Sequence, residues 1–248
     1  MVALLLMAAG VQTVKAQKMV VTMSDDSKVV YNIMQVKDIT FEEAEELDEH
    51  EWVDLGLPSG TLWATCNVGA NSPEEYGDYF AWGETEPKES YSWSTYKWCN
   101  GSKNSMTKYC LYSSNGYNGF IDGLTELLPE DDAAMFNWGS DWQMPSLAQL
   151  QELSNSDYTT TTWTTQNGVK GRKITGKNGN SIFLPASGYR NGTSLYNLGK
   201  DGLFWLRSLS TDYSYNAYEL EFTYSNIIYG DKCDRFYGHN VRPVRVQQ

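Results

Sequence analysis

Residues 170–185 read KGRKITGKNGNSIFLP. Two runs suited to strands, 170–176 and 181–185, flank Asn178-Gly179. An Asn-Gly pair takes the positive φ angles of a tight turn at little cost, so the two runs predict an antiparallel hairpin. A weaker signal of the same kind lies at 52–65, WVDLGLPSGTLWAT, where Pro58-Ser59-Gly60 parts two short apolar runs. The texture from 52 to 245 is the same throughout: short strands, many glycines, many aromatics and few helical periods. Two short helices are expected within it. Residues 127–136, LLPEDDAAMF, open with proline and acids, which suit a first helical turn, so Asp131 and Asp132 are read as capping groups. At 146–153, SLAQLQEL, Ser146 is an N-cap with Gln149 three residues on, ahead of a Leu147, Leu150, Leu153 stripe. Residues 84–122, rich in Gly, Asn, Ser and Tyr, read as long ordered excursions. The fold class is therefore α+β and β-rich, with two short helices and long ordered loops. No repeat of fixed period is visible.

The N-terminus reads differently. Residues 1–16, MVALLLMAAGVQTVKA, hold an apolar run at 2–11 that is too short to span a bilayer, followed by Val14-Lys15-Ala16. That pattern predicts a signal peptide cleaved after Ala16, and hence an exported, secreted or cell-surface protein. No Lys or Arg precedes the apolar run, as though Met1 lay inside a longer reading frame. No Cys stands at the cleavage point, so a lipid anchor is not indicated. Residues 17–41 read as a small β segment, with strands at 20–23 and 29–33 and a third short apolar piece at 38–41. Residues 42–50 carry Glu42, Glu43, Glu45, Glu46, Asp48 and Glu49, a run that repels itself and reads as an acidic linker. The main domain is then 51–248.

Composition excludes several functions. In 248 residues, 31 Asp and Glu stand against 19 Lys and Arg, so the net charge is 19 − 31 = −12. A nucleic-acid partner wants a basic footprint and is disfavoured. No run approaches the ~20 apolar residues of a membrane-spanning helix. With Trp 9, Tyr 17 and Phe 8, the chain is too aromatic for long disorder. Cys66, Cys99, Cys110 and Cys233 are even in number, which suits an oxidising compartment. Cys99 and Cys110 are the nearest pair; free, buried thiols are the equal alternative. There is no CxxC, and the histidines are His50 and His239 alone, so neither metal ligands nor a cofactor are expected.

Several strings carry a family likeness. They are WVDLGLPSGTLWATCNVGA at 52–70, YGDYFAWGET at 76–85, DDAA at 131–134, WQMPS at 142–146, IFLPASGYR at 182–190 and VRPVR at 241–245. Together they resemble the Fibrobacter succinogenes major paralogous domain of secreted gut and rumen bacterial proteins, over nearly all of 51–246. The segment at 18–41 resembles a leader found ahead of such domains. The resemblance implies a bacterial protein with a C-type-lectin-like fold, akin to the sulfatase-modifying-factor group. It implies a binding role more than a reaction. Relatives of that fold include variable proteins of diversity-generating retroelements, whose binding residues vary near the C-terminus.

The C-terminal stretch has its own chemistry. Tyr with Ser, Asn and Gly is the composition of antibody-like contact surfaces, rigid aromatic area beside adaptable polar groups. Tyr213, Tyr215, Tyr224, Asn226, Tyr229, Asp231, Asp234, Arg235, Tyr237 and His239 fall in polar turns and are the candidate ligand-binding residues. Leu206 and Arg207 join them, because the family usually shows small Ser residues there. In AYELEF at 217–222, alternation puts Tyr218, Leu220 and Phe222 on one face, read as core. Trp205 is read as packing, and Arg242 and Arg245 as buttresses of the terminal strand. The expected function is an exported, non-enzymatic protein that binds a protein or glycan. A structural surface or adhesin-like subunit is the first alternative. A sulfatase-modifying-factor-like enzyme is the second; it uses cysteine chemistry, and Cys233 has no partner Cys nearby in sequence. The Glu-Pro-Asn and Trp-Asn-Asp signatures of calcium-dependent sugar-binding lectins are absent.

Overall fold

The structure is a computed structural model that describes residues 18–22, 27–32, 50–225 and 227–246, with the backbone alone for Thr22, residues 227–229 and Val246. The segment read as a signal peptide, the apolar piece at 38–41 and the acidic run at 42–49 lie outside these residues. The chain divides into two units, 1–47 and 48–248. In the first, β1 (Lys18–Thr22) and β2 (Lys28–Asn32) form an antiparallel hairpin with Val20 opposite Val30. That agrees with the two strands expected there, offset by a residue or two.

The second unit is β-rich, with two α-helices among the described residues. β3 (Trp52–Asp54) and β4 (Thr61–Ala64) make the first predicted hairpin. Its turn closes with the Gly60 N–H donating to Leu57 O at 2.9 Å. Long ordered segments follow, and then helices α1 (Ala133–Trp138) and α2 (Leu147–Ser154). α1 starts later than the sequence predicts, because Pro129–Asp131 closes a separate 3-10 turn first. Asp132 caps it, its Oδ1 accepting from the Ala134 and Met135 amides, and its carboxylate also takes the Met144 amide. α2 carries the predicted capping box of Ser146 and Gln149, with Leu150 and Leu153 buried. Neither helix is long and apolar enough to cross a membrane, nor is any other among the described residues.

β5 (Thr159–Gln166), β6 (Val169–Gly176) and β7 (Ser181–Pro185) form a meander that contains the second predicted hairpin. A further Asn-Gly pair, Asn167 at φ 46° and Gly168 at φ 86°, makes the two-residue turn between β5 and β6. β8 (Tyr189–Asn191) and β9 (Ser194–Tyr196) pair with each other. β10 (Gly202–Leu209), β11 (Asn216–Phe222) and β12 (Ile227–Asp234) form an antiparallel sheet. β13 (Val244–Val246) returns to pair with β4, so both ends of the domain share one sheet.

The β10–β11–β12 sheet separates two cores. Phe204, Leu206, Leu220 and Phe222 pack with α2 and the β6–β7 strands. Trp205, Leu209 and Ala217 pack instead with Trp82, Tyr109, Met144 and Val241. A third cluster joins Tyr79, Tyr91, Tyr96, Met106 and Phe236. Trp205 and Trp82 cross-link the domain: Trp82 Nε1 donates to Leu206 O at 2.7 Å, and Trp205 Nε1 to Phe80 O at 2.8 Å. Arg242 is buried as a structural group, donating to Asn67 Oδ1, Ala64 O, Thr65 O and Phe183 O. Burial pulls its pKa down to about 10, so it stays charged at neutral pH. All four cysteines are free thiols. Cys99 donates to Trp93 O at 3.2 Å and Cys110 to Tyr112 O at 3.3 Å, so the nearest pair in sequence is not a bridge.

Candidate functional site

Two arrangements stand out on the β10–β11–β12 sheet. One lies in the loop between β10 and β11. In this turn Tyr213 is exposed, Ser214 is fully buried, and Tyr215 is half-buried against the Tyr79, Tyr96 and Phe236 cluster. Ser214 is held from three sides. Its N–H donates to Asn115 Oδ1, its Oγ accepts from the Leu111 N–H, and its carbonyl accepts from Arg235 Nη1 at 2.8 Å. The Asn216 N–H donates to Tyr213 O and the Arg235 N–H to Tyr215 O, each at 3.0 Å. On this pinned backbone the Tyr213 and Tyr215 rings stack at 5.1 Å between centroids, 17° from parallel. Tyr213 is 53% exposed, and Lys103 Nζ lies 5.2 Å from the Tyr215 ring centroid. Tyr112, also exposed, donates its hydroxyl to Thr211 O in the same loop, and Lys232 pairs with Asp212. The result is a rigid aromatic patch edged by charges of both signs.

The second arrangement is on the inner face of the sheet. Trp205 of β10 pairs opposite Glu219 of β11, and Cys233 of β12 opposite Ala217. Ala217 and Glu219 are two residues apart, so Trp205, Glu219 and Cys233 share a face. His239 arrives through its backbone bridge to Phe80 and stacks on Trp205 at 4.1 Å. Its Nδ1 is 2.8 Å from Glu219 Oε2, and Cys233 Sγ completes a group of ligand atoms all within 4.8 Å of one another. Glu219 is 3% exposed and His239 0%, whereas Cys233 is half-buried. Neither ring nitrogen of His239, nor Glu219 Oε2, has a hydrogen bond of acceptable geometry among the described residues. Burial first, and the carboxylate of Glu219 second, push the Cys233 thiol well up. Tyr189 and Tyr237, both half-buried, flank the imidazole with ring centroids 6.2 Å away.

The structure divides the residues expected at a ligand surface. Tyr213, Tyr224 and Asp231 are exposed, Tyr224 most of all at 74%, and Tyr215 is half-buried. Asp234 and Tyr237 are half-buried; Asp234 accepts from Asn216 Nδ2 at 2.9 Å, and burial raises its carboxyl pKa. Arg207 is partly exposed but tied down, pairing with Glu126 at 3.0 Å and donating to Gln143 Oε1. Asn226 lies outside the described residues, and Tyr229 is described only by its backbone in β12. Tyr229, Asp231 and Asp234 lie in strand β12 and not in turns, because they pair with Leu220, Glu219 and Asn216 of β11. Three further expectations are corrected. Leu206 has no exposed surface, because the phase of β10 turns it into the core with α2. Arg235 has none either, because its guanidinium donates to Tyr96 Oη, Tyr109 O, Ser214 O and Lys108 O and lies 4.7 Å from the Trp82 ring centroid. His239 is buried against Trp205 because its backbone is a β-bridge, not a turn.

Sequence reasoning missed Tyr112 and Lys103 at the aromatic patch, and Glu219 and Cys233 beside His239. Glu219 left one signal: it sits out of phase with Tyr218, Leu220 and Phe222, and so opposite their face. Comparison with protein-family models, curated proteins and solved structures finds no match to this chain.

Proposed function

We propose that this is an exported, non-enzymatic bacterial protein that binds a protein or glycan through the aromatic patch at Tyr213 and Tyr215. The observation that carries this reading is the stack of exposed Tyr213 on half-buried Tyr215, on a backbone nailed down at Ser214. Tyrosine gives large contact area for little lost side-chain entropy, and a pre-ordered loop avoids the ordering cost of association. Lys103, Asp212 and Lys232 around it supply charges of both signs for orientation. The C-type-lectin-like scaffold and the Fibrobacter-type family are part of the proposal, supported by the quoted strings and by the β-rich organisation with long ordered loops.

The test is a protein and glycan array probed with the wild type and with a Tyr213→Ala, Tyr215→Ala double variant. The variant should fold as the wild type does and lose about 30-fold or more in affinity for any ligand found, as hot-spot tyrosines do. Unchanged affinity would mean the surface lies elsewhere. The retroelement reading is tested separately, in the flanking DNA. It expects a near-copy of the segment encoding residues 190–245, differing at adenines, beside a reverse transcriptase gene. Absence of both ends the diversification reading and leaves the binding reading standing.

A further inference from the structure

We infer that Glu219, Cys233 and His239 form a binding site for a divalent cation of borderline softness, and that the ion is zinc. This goes beyond the binding surface proposed above and does not depend on it.

Geometry is the first ground. The three ligand atoms lie within 4.8 Å of one another. Bonds of about 2.0–2.3 Å to a tetrahedral zinc ion set its donors roughly 3.3–3.7 Å apart. The Nδ1–Oε2 separation of 2.8 Å therefore has to widen only by a small side-chain rotation. The three residues come from β11, from β12 and from a backbone bridge, so their Cα positions are set by the fold without the ion. Trp205, stacked on the imidazole, fixes the ring plane.

The unmet polar demand is the second ground. A buried imidazole normally hydrogen-bonds through at least one nitrogen, which also sets its tautomer. His239 is fully buried; its Nδ1 faces Glu219 Oε2 at 2.8 Å, and its Nε2 has no hydrogen bond among the described residues. A cation in the centre of the cluster takes a lone pair from one imidazole nitrogen and another from the carboxylate oxygen.

Charge balance is the third. A buried carboxylate with no cation is costly. With zinc bound, Cys233 coordinates as the thiolate and its proton passes to solvent, while His239 stays neutral. The two positive charges of the ion then balance one carboxylate and one thiolate, and the loaded cluster is neutral. The donor set also selects the ion: sulfur and imidazole nitrogen suit zinc and disfavour calcium and magnesium, which take oxygen. Three protein donors leave one tetrahedral position for water or a ligand oxygen. The half-buried Cys233, Tyr189 and Tyr237 mark the side from which an ion can enter.

The experiment uses the full chain, stripped with a chelator and then titrated with Zn²⁺ against a chromophoric competitor, and in parallel with Co²⁺. One equivalent of zinc should bind. The cobalt form should show the intense visible bands of a tetrahedral ion and a thiolate charge-transfer band. Cys233→Ser, a half-buried and conservative change, should abolish the charge-transfer band, while Cys99→Ser should leave it intact. Zinc at a hundred-fold excess over its Kd should raise Tm by roughly 5–10 °C. The cobalt spectrum of the wild type needs no variant, so a misfolded mutant does not blunt the test. The inference is overturned if the chain takes up no stoichiometric zinc, if the cobalt spectrum is weak and octahedral, or if the charge-transfer band survives Cys233→Ser. Because the readout is metal uptake, these outcomes are separate from the fate of the Tyr213–Tyr215 surface.

Discussion

Arg235→Ala is expected to remove a large share of the domain's stability. The guanidinium donates to Tyr96 Oη at 2.7 Å, Ser214 O at 2.8 Å, and Tyr109 O and Lys108 O at 3.1 Å each. It also lies 4.7 Å from the Trp82 ring centroid and 5.2 Å from that of Tyr96. Truncation leaves three backbone carbonyls without this donor and a void among the rings. Each orphaned carbonyl costs about 1–3 kcal/mol, so the total is on the order of 4–6 kcal/mol. That is a large share of the ~5–15 kcal/mol that holds a typical domain. In thermal unfolding it corresponds to a fall of roughly 10–20 °C, or to insoluble protein. Lysine is a poor rescue, because one ammonium cannot reach oxygens spread over the guanidinium fork. A Tyr213→Ala control should stay within about 0.5 kcal/mol of wild type, as exposed substitutions do. An Arg235→Ala protein within 1 kcal/mol of wild type would contradict the cage just described. Arg235 still matters to the surface, since it holds the Ser214 carbonyl between Tyr213 and Tyr215. For that reason it has no place in a variant designed to test binding alone.

Trp205→Ala should be nearly as damaging. The side chain is fully buried, packs with Trp82, Tyr109 and Val241, and anchors β10 to the Phe80 carbonyl. Large aromatic truncations in a core cost about 3–5 kcal/mol through lost transfer energy and the cavity left behind. The orphaned Phe80 carbonyl adds about 1–3 kcal/mol. Trp205→Phe keeps most of the packing and loses the indole N–H, so it should fall well short of the alanine variant. Denaturant midpoints at constant slope would separate the two. Equal midpoints for the phenylalanine and alanine variants would mean that packing at this position counts for little. Trp205 also carries the stacked His239, so the alanine variant should loosen the Glu219–Cys233–His239 cluster more than the phenylalanine variant.

Local signals in the sequence were legible where a short-range cause sets the structure. The Ser146–Gln149 box, the Pro58-Ser59-Gly60 and Asn178-Gly179 hairpins, and the alternation of Tyr218, Leu220 and Phe222 each depend on neighbours a few residues away. The helix expected at 127–136 began late for an equally local reason, the 3-10 turn opened by Pro129. Arg242 was legible as structural, but its partners at residues 64, 65, 67 and 183 were not. The polar C-terminal turns were harder to read. Arg235 and His239 look solvated in sequence, because their partners come from residues 80, 96, 108, 109 and 205.

The sequence by itself determined the β-rich class of the fold, the placing of several strands and caps, and the alternation that puts Tyr218, Leu220 and Phe222 on one face. Those features follow from backbone preferences and from side-chain period, which act over a few residues. Only the tertiary structure decided which polar residues are surface and which are core. It buried Leu206, Arg235 and His239, and it joined Lys103 and Tyr112 to the Tyr213–Tyr215 loop. It also brought Glu219 to His239, since Glu219 pairs opposite Trp205, on which the imidazole stacks. Register and burial are set by pairing between distant segments, and a single residue of slip exchanges the two faces of a strand.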